Sequence, residues 1–111
     1  MGEWGEAQAC LFLERKGFRV IERNYHTTVG EIDIVATHSG DYYFIEVKTR
    51  LSPEFANDMA ITPSKRHKLN KTIKAYCYRK NITEGSFVLA GLLVAADKES
   101  KRIAFRFAVY C

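Results

Sequence analysis

The alternation of hydrophobic and polar positions in the first half of the chain predicts one helix and three strands. The helix is expected from about Glu3 to Lys16, because basic residues in its last turn and Gly17 directly after it are typical of a helix end. A short strand, FRVIERNY, follows, and two further strands are predicted at about residues 30–38 and 41–50.

The second half predicts a helix between an irregular segment and two strands. Residues 51–61, LSPEFANDMAI, are expected to form a polar loop. Thr62 followed by Pro63 predicts a capped helix start, and this helix is expected to run to about Lys80. SFVLAGLLVAA is typical of a strand buried on both faces, and RIAFRFAVY of an edge strand. The order α-β-β-β-α-β-β predicts an α/β (α+β) fold with one mixed central sheet flanked by helices.

Length and composition limit the class of protein. A chain of 111 residues predicts a single domain, residues 1–111. The three cysteines, Cys10, Cys77 and Cys111, are far apart and form no CxxC pair, which argues against a disulfide framework or a zinc knuckle and favours free thiols in a reducing compartment. Neither an export leader nor a membrane-spanning run is recognised, so the prediction is a cytoplasmic protein without a membrane partner.

The stretch GEIDIVATHSGDYYFIEVKTR places acids inside a strongly β-prone hairpin. A two-residue turn at residues 39–40 would pair His38 with Asp41, so that the numbers of paired residues sum to 79. Asp33 is then expected opposite Glu46, and Glu31 opposite Lys48, all on one face of the hairpin. The other face is predicted to be continuous apolar core, made of Ile32, Ile34, Ala36, Tyr43, Ile45 and Val47.

Two carboxylates facing each other across a ladder repel unless a proton, a cation or water offsets their charge. A divalent metal is the strongest candidate, because Mg²⁺ prefers hard oxygen ligands such as those of Asp33 and Glu46. Lys48 is two residues beyond Glu46, about 7 Å further along the strand. Its ammonium could hold a water or stabilise negative charge on a phosphate. The alternative is a solvated face with a Glu31–Lys48 pair worth about 0.2–1 kcal/mol. The spacing alone leaves both interpretations open.

The second predicted helix is one-sided in charge. Leu69, Ile73, Tyr76 and Cys77 form an apolar stripe at helical spacing, which predicts contact with the core. The rest of the helix carries cations without an acid, and the whole chain has a net charge of +4 and a pI near 9.0. Lysines so close together repel, and a polyanion would relieve that repulsion. Lys65, at the boundary of the stripe, could lean toward the acids. The residues expected to contact nucleic acid are Lys65, Lys68, Lys71, Lys74 and Arg79.

The run Gly30-Glu31-Ile32-Asp33 with Glu46-Val47-Lys48 resembles the PD-(D/E)XK nuclease signature. The surrounding sequence resembles the YraN-type family, which is held to share the restriction-endonuclease-like fold and to be close to archaeal Holliday-junction resolvases. This second resemblance rests on Gly2-Glu3-Trp4-Gly5-Glu6, Ala9, Gly17-Phe18 and Arg23-Asn24 near the start, and on Pro63, Lys65, Leu69, Ala75 and Tyr76 in the second helix.

These resemblances imply roles for particular residues. Asp33 and Glu46 would bind Mg²⁺ or Mn²⁺, the backbone carbonyl of Val47 would complete the coordination, and Lys48 would position the attacking water. Glu6 would correspond to a first-helix glutamate brought to the metal. On a helical wheel Glu6 lies at the edge of the apolar side of the helix, but a first-turn glutamate also simply favours the helix dipole.

The expected function is a Mg²⁺-dependent endodeoxyribonuclease acting on structured or branched DNA, resembling a Holliday-junction resolvase in repair or recombination. A homodimer through residues 86–96 and 102–110 would match resolvase-like relatives. One alternative is a nucleic-acid-binding module that has the nuclease fold and cuts nothing. Another is an interaction domain whose basic helix contacts an acidic protein.

Overall fold

A computed structural model describes residues 2–50, 62–97 and 99–110 of the chain. The predicted irregular loop at residues 51–61 lies outside the described residues. The elements follow the predicted order: α1 (Gly2–Arg15), β1 (Arg19–His26), β2 (Glu31–His38), β3 (Asp41–Arg50), α2 (Pro63–Arg79), β4 (Phe87–Ala96) and β5 (Ile103–Val109).

The five strands form one sheet in the order β1-β2-β3-β4-β5. β3 and β4 are parallel and the other neighbouring pairs are antiparallel, with α2 in the connection between the parallel strands. The sheet is therefore mixed, as predicted. β4 is almost entirely buried and β5 is an edge strand, so the predictions for both strands are confirmed.

Local sequence signals set the helix ends. Gly17 has a φ of +91°, and the Phe18 N–H donates to the Leu13 carbonyl at 2.9 Å, which closes the end of α1. At the start of α2, the Thr62 hydroxyl accepts a hydrogen bond from the Lys65 N–H at 3.1 Å. Both predicted helix boundaries are confirmed to within one residue.

Each helix covers one face of the sheet. The apolar stripe predicted on α2 packs as expected, with Ile73 and Tyr76 buried. The cluster on the α1 side contains Ala9, Cys10, Leu13, Ile34, Ala36, Ile45, Ala90, Leu92 and Val94. The cluster on the α2 side contains Ile32, Val35, Phe44, Ile73, Tyr76 and Leu89.

The hairpin turn forms where the sequence predicts it. Ser39 and Gly40 have φ values of +51° and +85°, the positive pair that a tight hairpin turn of this twist requires. The β2–β3 ladder then runs from His38↔Asp41 outward, with partner numbers that sum to 79. The predicted register is confirmed for these five pairs.

The predicted register is wrong beyond the pair Ile34↔Ile45, where the ladder ends. The Asp33 carboxylate accepts a hydrogen bond from the Val47 N–H at 2.8 Å, so a side chain replaces the backbone partner and β2 separates from β3. The expected ladder pairs of Asp33 with Glu46 and of Glu31 with Lys48 are not formed. Ile32 was predicted on the same face as Ile34 and Ala36. It packs on the opposite, α2 side of the sheet, so that prediction is wrong.

Cys10 and Cys77 are free thiols, as expected, and Cys111 lies outside the described residues. Neither helix of the described ranges has both the length and the apolar character needed to cross a membrane.

Candidate functional site

A cavity of about 670 Å³ opens where β2 and β3 separate, and the first half of α2 forms its third wall. This volume is typical of small-ligand sites. Five of the side chains that the sequence singled out line this cavity: Asp33, Glu46, Lys48, Lys65 and Lys68. The separation of the strands thus creates the space in which the predicted acids meet the predicted cations.

Asp33 is held by the backbone of the neighbouring strand. Its Oδ2 atom accepts from the Val47 N–H, which favours the ionised form. Burial has the largest effect and raises the pKa of Asp33, and the negative charges of Glu46 and Glu31 raise it further. Asp33 therefore lies near other negative charges, and a bound cation would reduce the repulsion between them.

Two lysines approach one oxygen of Glu46. The Lys65 Nζ atom lies 2.7 Å from Glu46 Oε1, and the Lys48 Nζ atom lies 3.9 Å from the same oxygen. The Glu46 side chain is only 11% exposed, whereas the Lys65 side chain is 50% exposed. Lys65 therefore leans toward the acids, as its position at the boundary of the apolar stripe predicted.

Glu6 of α1 lies close to Asp33, although it does not line the cavity. Its Oε1 atom is buried and has no hydrogen-bond partner among the described residues. Burial raises the pKa of Glu6, and the charge of Asp33 raises it further. A buried carboxylate oxygen without a partner is uncommon in a folded protein and points to a missing cation or donor.

Replacing Glu6 with glutamine is expected to stabilise the metal-free protein at pH 7. The pKa of Glu6 is raised from 4.5 in the folded state, so its favourable contribution is present at pH values below 4.5 and is lost as the pH rises through the raised pKa. The melting temperature of E6Q should therefore exceed that of the wild type increasingly toward neutral pH. The control E3Q removes an exposed acid from the same helix turn. An equal gain for E3Q would contradict the explanation by burial.

The other basic residues of α2 are distributed over two areas. Lys68, Lys71, Lys74 and Arg79 are all exposed, as expected for cations opposite the core stripe. Lys68 lies at the cavity described above, whereas Arg79 lines a second cavity of about 430 Å³ beside β1. The cations nearest to the acids are therefore those at the start of α2.

Tyr110 is a site neighbour that the sequence did not indicate. Its N–H donates to the Leu89 carbonyl at 2.7 Å, and its carbonyl accepts from the Arg66 guanidinium at 3.2 Å. Burial raises the pKa of its hydroxyl, and the charge of Glu46 contributes to the rise. The hydroxyl is buried without a hydrogen-bond partner among the described residues. An aromatic residue at the end of an alternating strand gave no signal that it would lie beside the first turn of α2.

Gly30 shows why the acidic run begins with glycine. A Cβ atom there would lie 2.6 Å from the Thr72 hydroxyl oxygen of α2. Thr72 is buried, and its hydroxyl donates to the Lys68 carbonyl at 2.9 Å, so it has little freedom to move. The absence of a side chain at Gly30 therefore lets α2 approach the strand that carries Asp33. The sequence showed the glycine but not the helix residue that requires it.

The carboxylate oxygens of Asp33 and Glu46 are ligands that suit a hard divalent cation, but they do not converge on a single position. Within the described ranges, no group of three or more His, Cys, Asp or Glu side chains is arranged to hold a metal ion. The residues that fit best are Asp33 and Glu46, with the unpartnered oxygen of Glu6 nearby. A cation at Glu46 would compete with the Lys65 ammonium at Oε1.

The fold and the cavity define a mixed α+β protein with an acidic and lysine-lined site at a fork between two strands. Residues 5–109 match the family described as "Uncharacterised protein family UPF0102", and the chain belongs to this family. The YraN-type resemblance seen in the sequence is confirmed at this level.

Curated relatives of this chain are described as UPF0102 proteins. A UPF0102 protein of Syntrophomonas wolfei is 39% identical over 103 residues, which cover 88% of each chain. A UPF0102 protein of Helicobacter pylori is 42% identical over 93 residues, covering 84% of this chain and 79% of the relative. One from Roseiflexus castenholzii is 44% identical over 78 residues, covering 68% of this chain and 62% of the relative.

Proposed function

We propose that this protein is a divalent-metal-dependent endonuclease of the PD-(D/E)XK type that acts on DNA. The observation that carries the proposal is the convergence of Asp33, Glu46 and Lys48 on one cavity at a fork between strands. The buried, unpartnered oxygen of Glu6 close to Asp33 supports it further. A solvated sheet face, the alternative left open by the sequence, would not bury these acids.

Each residue has a role in phosphodiester hydrolysis. Asp33 and Glu46, with the Val47 carbonyl, would hold Mg²⁺ or Mn²⁺, which when bound polarises the phosphate and makes water more acidic. The Lys48 ammonium donates a hydrogen bond to the attacking water and stabilises negative charge that develops on the phosphate. Glu6 would add negative charge beside Asp33, which favours binding of a cation there.

The proposed substrate is DNA held by its backbone. Lys65 and Lys68 stand at the cavity, and Lys71 and Lys74 extend the positive charge along the exposed side of α2. Contacts of this kind recognise shape and phosphates rather than sequence, which suits branched or otherwise structured DNA in repair or recombination. A homodimer would suit a substrate with two-fold symmetry. Its proposed interface is formed by residues 86–96 and 102–110, and β5, which lies in the second range, is at an edge of the sheet.

The first test is titration of the purified protein with Mn²⁺ by calorimetry. We expect E46Q to bind Mn²⁺ about ten- to a hundredfold more weakly than the wild type, because an amide oxygen is a neutral and poorer ligand. The control E84Q removes an equal charge from the exposed connection between α2 and β4, at the end of the sheet near the hairpin turn. Equal affinities for wild type and E46Q would contradict metal binding at this site.

The second test is cleavage of duplex, flap, four-way junction and single-stranded DNA with Mg²⁺ or Mn²⁺. Cuts by the wild type on any of these substrates, absent in E46Q, are the expected result.

The alternative function is a DNA-binding module with the nuclease fold. The Lys65–Glu46 ion pair favours it, because Lys65 already neutralises the charge of Glu46 without a metal ion. Binding without cleavage on every substrate would select that module. Binding that does not weaken with added salt would contradict phosphate contact itself.

A further inference from the structure

The contact between Lys65 and Glu46 joins the first turn of α2 to β3 across the cavity. Lys65 lies in the first turn of α2, and its Nζ atom is 2.7 Å from Oε1 of Glu46 on β3. This distance corresponds to a direct charge-assisted hydrogen bond. The oxygen that Lys65 contacts belongs to the acid that the proposed function assigns to the metal.

An ammonium at hydrogen-bond distance and a divalent cation would compete for the negative charge of this carboxylate. A cation on the same oxygen would lie within roughly 4 Å of the ammonium, and two positive charges at that distance repel each other. Glu46 is only 11% exposed, so its carboxylate has few other directions from which a cation could approach. Metal binding at Glu46 and the Lys65–Glu46 contact therefore compete for the same carboxylate.

Lys65 is the partner that can move. Its side chain is 50% exposed, and its ammonium sits on a flexible four-carbon stem. Its backbone is fixed independently, because its N–H donates to the Thr62 hydroxyl at the helix cap. The side chain can thus leave Glu46 without disturbing α2, and it stays at the cavity, where a phosphate would be a new anionic partner.

We propose that Lys65 and a divalent cation exchange at Glu46: Lys65 neutralises the acid in the metal-free protein, and metal binding releases Lys65 to contact a DNA phosphate. This inference rests on the proposed function and gives Lys65, already a proposed phosphate contact, a second role at the metal site. Lys65 acts through Glu46, by setting how tightly the site holds its metal before substrate arrives.

The test compares two lysine variants by Mn²⁺ calorimetry. K65M should bind Mn²⁺ about three- to tenfold more tightly than the wild type, since the competing ion pair is gone. K68M is the matched control, because Lys68 lies one turn further along α2, lines the same cavity and carries the same charge. K68M should change the affinity by less than about twofold. Far-ultraviolet circular dichroism should show unchanged helix content in both variants.

A second measurement follows Lys65 directly. Acylation of lysines by an amine-reactive ester, mapped by mass spectrometry, should increase at Lys65 when Mn²⁺ is added, because the released amine loses its carboxylate partner. Labelling at Lys68 should stay constant. In E46Q, Lys65 should label rapidly with or without Mn²⁺.

The outcomes separate this inference from the proposed function. Equal Mn²⁺ affinities for K65M and the wild type, or equal gains for K65M and K68M, would overturn the exchange while leaving the metal site in place. Labelling of Lys65 that does not respond to Mn²⁺ would also overturn it. If the wild type binds no Mn²⁺, both the exchange and the proposed metal-dependent nuclease are wrong.

Discussion

Replacing Asp33 with asparagine is expected to reduce DNA cleavage by at least about a hundredfold and to leave DNA binding unchanged or tighter. The amide is neutral and cannot supply the negative charge that a divalent cation needs. DNA binding should persist because the proposed phosphate contacts lie on α2, and removing an anion from the cavity lessens repulsion of the backbone. Single-turnover cleavage with Mg²⁺ and fluorescence anisotropy without metal would measure the two effects separately.

Alanine at the same position separates catalysis from folding. Asparagine can still accept the hydrogen bond from the Val47 N–H, whereas D33A leaves this half-buried donor without its partner. The loss should lower the free energy of unfolding by about 1–3 kcal/mol for D33A. D33N that cleaves at the wild-type rate would contradict the proposed role of Asp33 whatever its stability.

The pH dependence of stability gives an independent check on Asp33. Burial raises the pKa of this carboxyl in the folded protein, so its stabilising contribution is present below the ordinary value of 3.8 and is lost as the pH rises through the raised pKa. D33N, which cannot ionise, should therefore gain stability relative to the wild type between acidic and neutral pH. Saturating Mn²⁺ should reverse the order, because only the wild type would be stabilised by the ion.

The features that could be predicted from the sequence are those that neighbouring residues determine. The turn at Ser39 and Gly40 fixes the hairpin register over five pairs because both residues adopt positive φ values. Gly17 ends α1, and Thr62 starts α2, through hydrogen bonds that span only a few residues. The apolar stripe of α2 packs against the sheet as predicted, because the helical spacing of its residues can be recognised within a short stretch of sequence.

The features that could not be predicted depend on contacts between distant parts of the chain. The ladder ends at Ile34 because the Asp33 carboxylate competes for the Val47 N–H, fourteen positions away. No alternation pattern indicates that a side chain will replace a backbone partner, so the prediction placed Ile32 on the wrong face. The same limit applies to Tyr110, which Arg66 anchors across forty-four positions.

The candidate site falls between these two cases. The spacing of Asp33, Glu46 and Lys48 was sufficient to predict that they would share one site. It placed the two acids opposite each other in an unbroken ladder, whereas the structure puts them on either side of a fork. The fork matters for the proposed function, because an unbroken sheet would have no cavity between these strands.

Replacing Gly5 with alanine is expected to destabilise the protein by about 1–3 kcal/mol. Gly5 is buried on α1, and a Cβ atom there would overlap the Thr49 hydroxyl oxygen of β3. The sign is opposite to the helix propensity, since glycine to alanine inside a helix otherwise stabilises by about 0.5–1 kcal/mol. A melting temperature lower by about 4–8 °C for each kcal/mol would be the measured effect.

A compensating variant shows whether the overlap with Thr49 is the cause. T49A removes the hydroxyl oxygen that G5A would meet and leaves only the Cβ of residue 49, at 3.3 Å. The double variant G5A/T49A should therefore recover most of the stability that G5A loses, a coupling between sites in contact that a double-mutant cycle measures. Because Glu6 follows Gly5 on α1, G5A should also weaken Mn²⁺ binding, and the double variant should restore it. Losses in G5A and T49A that simply add would mean that the overlap with Thr49 is not the cause of the instability of G5A.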